Sequence, residues 1–106
     1  MFTINGMVWK VRFVPPNHSA LIMPDGAKAA GMCDSNTRTL YIDRTIHGSY
    51  LKEVLSHEIV HAGLFAYGIE LDYETEEVVA NIVAKYGREI IKLADSVFKK
   101  IKRGYY

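Results

Sequence analysis

The residues best suited to chemistry lie in the segment His57-Glu58-Ile59-Val60-His61. In an α-helix, residues four positions apart lie one turn above each other on the same face. His57 and His61 are therefore placed to direct two imidazole nitrogens at one metal ion, which is the physical content of the H-E-x-x-H pattern. The expected ion is zinc, which lowers the pKa of a bound water to about 7. Glu58 is the predicted general base that takes a proton from that water.

A helical pattern from Tyr50 to Tyr67 surrounds this segment. Glu58 falls inside its apolar stripe, where burying an uncompensated carboxylate is costly. A metal site beside the carboxylate would compensate it, which favours a functional site over a chance occurrence. The stripe follows i, i+3, i+4 spacing and contains Leu51, Val54, Leu55, Ala62, Phe65 and Ala66. We expect Ser49 to cap the start of this helix, and Gly68 to end it with Ile69 folded back on Leu64.

Two histidines need a third protein ligand to hold zinc strongly. His18 and His47 lie in turn-like segments with no fixed relation to the motif. Glu76 and Glu77, at the start of the next helical pattern, are better placed after an antiparallel return. Helical spacing favours Glu76, because it lies nearer the apolar face. The row of small residues in line with Glu77 would let two helices approach closely and favours that residue instead: Ala80, Asn81 and Ala84.

The choice between the two glutamates is narrow, and Glu77 is preferred. Asn81, one turn along from Glu77, is also placed to support a ligand histidine.

Length and composition indicate one globular domain over residues 1–106. The apolar fraction of 49% and the charged fraction of 24% are ordinary for a globular protein. A formal net charge of +1 gives no general argument for a nucleic-acid partner. Cys33 is the only cysteine, so no internal disulfide forms and a cytoplasmic location is expected. We expect no signal peptide and no membrane-spanning segment.

Four short strands are predicted. Residues 2–4 and 7–14 form a hairpin at Asn5-Gly6, with Trp9, Val11 and Phe13 on the buried side. Residues 31–34 and 39–43 form two further strands joined by a polar turn. The second alternates cleanly, and a strand of this kind is a candidate to hold an extended peptide by main-chain hydrogen bonds.

A long helix is predicted after Asp72, which is its expected N-cap, with apolar positions continuing to Ile101. Gly87 is expected to bend or break it. Its last turn is basic, at Lys99, Lys100, Lys102 and Arg103. Such a run usually complements the helix dipole, so contact with nucleic acid is the less favoured interpretation. Together these elements predict an α+β fold.

The chain resembles the zincin superfamily, specifically its gluzincin branch and the small ImmA/IrrE-type metallopeptidases of bacteriophages and mobile elements. The resemblance spans about residues 31–89 and includes segments 31–34, 40–43, 55–62 and 76–87. The family pattern of a ligand glutamate, two variable residues, alanine, then asparagine or aspartate is matched by Glu77, Ala80 and Asn81. The resemblance implies a small zincin-like domain, zinc held by His57, His61 and Glu77, and Glu58 as general base.

Family members of this type often act as regulatory peptidases, some of which cleave a repressor. The expected function is therefore zinc-dependent hydrolysis of a protein or peptide substrate. The chain lacks the extra segments that surround the active site in larger relatives, and no oxyanion-stabilising residue is identifiable. Tyr67, Tyr73 and Tyr86 are candidates, although aromatic core is the commoner role. The alternative function is a regulatory or binding module that holds a metal without efficient turnover.

Overall fold

The chain folds as an α+β domain in a computed structural model that describes residues 1–105, which confirms the predicted class. A four-stranded mixed sheet is followed by two helices. The strands are β1 (Phe2–Ile4), β2 (Met7–Val14), β3 (Gly31–Asp34) and β4 (Thr39–Asp43). The helices are α1 (Gly48–Ala66) and α2 (Tyr73–Lys102). The predicted bounds of all four strands are confirmed.

The strand order in the sheet is β1-β2-β4-β3. β1 pairs with β2 and β3 pairs with β4 in antiparallel fashion, whereas β2 and β4 are parallel. The clean alternation of β4 made it a candidate for binding a peptide. β4 is paired on both sides, so its main chain is not available. The two edge strands are β1 and β3.

The hairpin between β1 and β2 turns at Asn5 and Gly6, whose φ angles are 47° and 77°. Two successive positive φ values favour the twist that a two-residue hairpin needs, and Asn-Gly tolerates them best. The side-chain amide of Asn5 donates a hydrogen bond of 3.0 Å to the backbone carbonyl of Ala66. The turn is therefore attached to the C-terminal end of α1.

The core beneath α1 is built around Trp9, which is fully buried with Leu40 and Ala62. The predicted burial of Phe13, on the same face of β2, is wrong, because its side chain is 56% exposed. At that end of the strand the buried residue is Val14, on the opposite face. A short 3-10 turn at residues 19–21 packs against β3 and β4.

The C-terminal end of α1 is confirmed and its N-terminal cap is wrong. Gly68 has a φ of 67°, and the amide of Ile69 donates to the carbonyl of Leu64 at 2.9 Å, as in a Schellman motif. Ser49 lies inside the first turn, and the N-cap is His47, which makes no side-chain capping bond. The extended backbone of His47 places the start of the helix two residues earlier than the serine pattern indicates.

One face of α1 packs against the sheet through residues spaced four apart: Val54, Glu58, Ala62 and Ala66. Gly31 of β3 lies so close that a Cβ atom there would be 2.8 Å from Val54 Cγ1 and 3.0 Å from Glu58 Cγ. Glycine inside a strand often marks such a close approach. The edge of the sheet is thereby placed directly against the buried carboxylate of α1.

Gly31→Ala is expected to destabilise the protein by about 1 to 3 kcal/mol, because the added methyl group overpacks this contact. Urea denaturation with chelator present measures the change without a metal contribution. Gly63→Ala is the control, since an added Cβ there meets nothing within 4 Å and alanine favours a helix. A Gly31→Ala protein as stable as the wild type would contradict the close packing.

α2 begins as predicted, because the Asp72 carboxylate accepts hydrogen bonds from the Thr75 amide and hydroxyl, both at 2.9 Å. The helix continues through Gly87, so a break at that residue, one of the two expected outcomes, does not occur. Its first half packs against α1 through the buried small residues Ala80 and Ala84. Among residues 1–105, no helix combines the length and apolar character needed to cross a membrane.

Candidate metal centre

His57, His61 and Glu77 come together at the contact between α1 and α2, each half-buried. The Nε2 atoms of the two histidines are 3.2 Å apart. Glu77 Oε1 lies 2.8 Å from His61 Nε2 and 3.4 Å from His57 Nε2. The structure thus brings together the three residues predicted as metal ligands.

These three distances can be tested against the geometry of a zinc ion. Zinc in proteins is tetrahedral, with bonds of about 2.0 to 2.2 Å to histidine nitrogen and carboxylate oxygen. The edges of such a tetrahedron are about 3.3 Å long. The separations of 3.2, 3.4 and 2.8 Å are close to this length. The donor set of two imidazoles and one carboxylate therefore fits zinc and leaves a fourth position for water or substrate.

Glu76, the competing candidate for third ligand, lies on the other side of His61. Its Oε1 atom is 3.4 Å from His61 Nδ1, away from the Nε2 atom that faces Glu77. A proton on Nδ1 opposite this carboxylate leaves the lone pair of Nε2 free for a metal. Asn81, the predicted supporting residue, lines the same cleft, and within residues 1–105 it forms no hydrogen bond with either histidine.

Glu58 lies beside the three potential ligands, with its Oε2 atom 3.9 Å from His57 Nε2. Only 6% of the residue is exposed. Burial raises the pKa of Glu58 to about 7, an effect that His57 opposes and the negative charge of Glu77 reinforces. A carboxyl group with a pKa near neutrality is well suited to accept and return a proton.

Glu58→Gln is expected to stabilise the metal-free protein at high pH. The folded-state pKa of Glu58 lies above its ordinary value of 4.5, so the folded wild type holds this proton more tightly than the unfolded chain. Wild-type stability therefore falls as pH rises from about 4.5 to 7, whereas glutamine has no such loss. We expect the variant to be more stable by about 1 to 3 kcal/mol at pH 8 and equal near pH 4.

Urea denaturation in the presence of chelator measures this difference at both pH values. A glutamine variant that is less stable at pH 8 would show that the buried carboxylate is not a cost to the metal-free fold.

The free edge of β3 faces this site. The Asp43 amide donates to the Ala30 carbonyl, and Gly31 pairs with Ile42. In an antiparallel ladder, hydrogen-bonded pairs alternate with pairs whose main-chain groups point outward. The amides and carbonyls of Gly31 and Cys33 therefore point away from β4. The Cys33 backbone also lies near the Glu58 carboxylate, where it partly offsets the rise in the pKa of that group.

Cys33 itself is not a reactive thiol. Burial, together with the nearby charge of Glu58, raises the pKa of the Cys33 thiol to about 12. A thiol with so high a pKa is protonated at neutral pH and is a poor nucleophile.

The site lies in a cleft of about 950 Å³ between the β3 edge and the segment that joins α1 to α2. Of the tyrosines considered as oxyanion donors, Tyr73 lines this cleft, whereas Tyr67 and Tyr86 do not. All three are more than half exposed, so the expectation of aromatic core residues is wrong. Tyr50 also lines the cleft. The sequence analysis did not identify Tyr50 as a site residue, because its only distinguishing feature in the sequence is its position at the start of the helical pattern.

The other two histidines have local structural roles. His18 Nδ1 accepts a hydrogen bond from the Ala20 amide, and its ring stacks on Tyr41. His47 is the exposed N-cap residue of α1. Neither belongs to the cluster of potential ligands that the described residues form.

Comparison with known proteins does not identify a family for this chain. Neither the protein-family models nor the curated proteins nor the solved structures contain a match to the chain.

Proposed function

We propose that the protein is a zinc-dependent peptidase in which His57, His61 and Glu77 hold the metal. The observation that carries the proposal is the spacing of the three donor atoms together with the carboxylate of Glu58 beside them. A purely structural zinc site is usually closed by four protein ligands. Here only three ligands are present, so a bound ion would keep one position open, and all three ligands line a cleft large enough for a peptide. The resemblance to zincin peptidases points to the same reaction and to a regulatory peptidase of a phage or mobile element.

When bound, zinc would supply an acidified water and polarise the carbonyl group of the substrate. Glu58 would take the proton from the attacking water and pass it to the amine that leaves. Its burial beneath the cleft keeps the carboxylate out of bulk solvent, and its raised pKa matches both halves of this proton transfer. Glu76 would hold His61 in the orientation in which Nε2 faces the metal.

The substrate in this proposal is an extended peptide bound along β3. The outward amides and carbonyls of Gly31 and Cys33 would add it to the sheet as a further strand. Because the recognition is by main chain, it requires no particular side chain in the peptide at those two positions. The adjacent carboxylate would then face the peptide bond from the side of α1.

Zinc affinity should separate the roles of the two neighbouring glutamates. Glu77→Gln is expected to weaken zinc binding by at least about a hundredfold, because it removes a ligand charge. Glu76→Gln is expected to weaken it by about tenfold, because it removes only the support of His61. Competition against a chromogenic chelator measures both constants. A larger loss in the Glu76 variant would reverse the assignment of the third ligand.

A second candidate function is a regulatory or binding module that holds the metal without efficient turnover. The composition of the cleft favours this second candidate. In the described part of the chain, no lysine or arginine lines the cleft that could stabilise the oxyanion formed during peptide hydrolysis. The cleft is also lined by Tyr50 and Tyr73, whose hydroxyl groups could donate a hydrogen bond to a substrate. A peptide-library cleavage assay of the zinc-loaded protein distinguishes the two candidates, since only the peptidase produces new termini.

A further inference from the structure

The second half of α2 extends away from the rest of the molecule. Every residue from 88 to 102 is exposed, and the long axis of the molecule measures 55 Å against 30 and 27 Å for the others. Several of these exposed residues are large and apolar, among them Ile90, Leu93 and Val97. A large contiguous apolar surface that is exposed on a helix usually marks an interaction site.

The apolar residues form a stripe that continues along the whole helix. Six of them alternate in steps of four and three: Val79, Val83, Tyr86, Ile90, Leu93 and Val97. This spacing is the heptad pattern by which helices pack side by side. Ile82 lies beside this stripe on the helix surface, and Ile101 continues it one turn beyond Val97. We call these eight residues together the α2 seam.

The α2 seam is separate from the face that packs on α1. Residues of a helix advance by about 100° per position, which places the centre of the seam about 120° around the axis from Ala80 and Ala84. The contact with α1 therefore leaves most of the seam exposed even in the first half of the helix, where Val79 is half-buried, Val83 is 41% exposed and Tyr86 is 54% exposed. A second helix has access to it along its full length.

The size of the α2 seam matches what a small dimer needs. Its side chains expose apolar area on the order of 600 Å², at the upper end of what one patch on a monomer usually shows. Two such seams in contact would bury on the order of 1,200 Å², the lower bound for a specific interface.

The charges on α2 select the partner and its direction. The N-terminal end is acidic, with Asp72 and Glu74 exposed, and the C-terminal end is basic, with Lys99, Lys100 and Lys102 exposed. A parallel pair of copies would bring like charges together, whereas an antiparallel pair brings opposite charges together. We propose that the chain forms a homodimer by antiparallel packing of the α2 seams of two copies.

The heptad spacing fixes the register of this dimer. With the two-fold axis at Arg88, the six central seam residues all meet in pairs. Val79 lies opposite the partner's Val97, Val83 opposite the partner's Leu93, and Tyr86 opposite the partner's Ile90. The same register places the first turn of one α2 beside the last turn of the other.

Analytical ultracentrifugation over a concentration series tests the dimer. Ile90→Glu is expected to weaken dimerisation by at least about tenfold, because it places a charge in the centre of the seam. Ile91→Glu is the matched control, since Ile91 is also more than half exposed but lies outside the seam, and it should leave the dissociation constant unchanged. A wild type that stays monomeric to high micromolar concentration, or equal effects of the two variants, would overturn the proposal.

Spin labels test the direction. A label at position 99, introduced as Lys99→Cys with Cys33→Ser, should lie about 33 Å from its copy in the antiparallel dimer, given a helical rise of 1.5 Å. A parallel dimer would bring the two labels to about 10 Å. The short distance would overturn the antiparallel arrangement, and the long one supports it.

Discussion

Replacing Glu58 with glutamine should lower peptide cleavage by about 10²- to 10⁴-fold while zinc stays bound, because the variant loses the proton acceptor and keeps all three ligands. The Glu58 oxygen is 3.9 Å from the nearest histidine nitrogen and outside the triangle of donor atoms. Glutamine preserves the shape of the side chain and its fit against Gly31. The loss should therefore appear in the rate of the chemical step rather than in folding or metal content.

Cleavage of a fluorogenic peptide library, combined with metal analysis of the same samples, measures both quantities. Glu53→Gln is a suitable control, because Glu53 lines the same cleft on the same helix but is not part of the ligand cluster. It should retain near wild-type activity. A Glu58→Gln protein that loses zinc would identify Glu58 as a ligand, and one that cleaves at the wild-type rate would exclude it as the base.

The second large effect is expected on metal-dependent stability. Zinc that binds only the folded state at a thousand times its dissociation constant stabilises it by about 4 kcal/mol. For a chain of this length, that free energy raises the midpoint of thermal unfolding by on the order of 20 °C. His57→Ala and His61→Ala each remove a ligand, so both variants should lose nearly all of this increase.

Scanning calorimetry with added zinc and with added chelator provides the test. His47→Ala is the matched control, because His47 lies at the start of the same helix outside the ligand cluster, and its response to zinc should equal that of the wild type. If the wild type melts at one temperature under both conditions, the native state holds no tightly bound metal.

Sequence patterns were most informative where structure depends on near neighbours. The four strands, the Asn5-Gly6 hairpin and the Asp72 cap each follow from residues a few positions apart, and all are confirmed. The predicted N-cap of α1, Ser49, is wrong because the helix starts two residues earlier, and that start depends on how the preceding segment enters the helix. Local preference is a weak guide to the exact first residue of a helix, where a difference of one or two positions is common.

The order of the strands could not be read from the chain. Nothing near Gly31 shows that β3 would lie at the edge of the sheet, because that depends on the parallel pairing of β2 with β4. The burial of Val14 instead of Phe13 likewise depends on which segments cover each face. For the ligand cluster, the row of small residues at Ala80 and Ala84 fixes how α2 rotates against α1. The position of Glu77 follows from that rotation.

The three potential ligands span the six-residue connection between the helices, with two on α1 and one on α2. An ion held by all three would act as a cross-link that closes the loop from His61 to Glu77. Such a closure reduces the conformational entropy of the unfolded chain, much as a disulfide does. In a domain whose single cysteine has no second cysteine to pair with, a metal would thus provide the cross-link that a disulfide cannot.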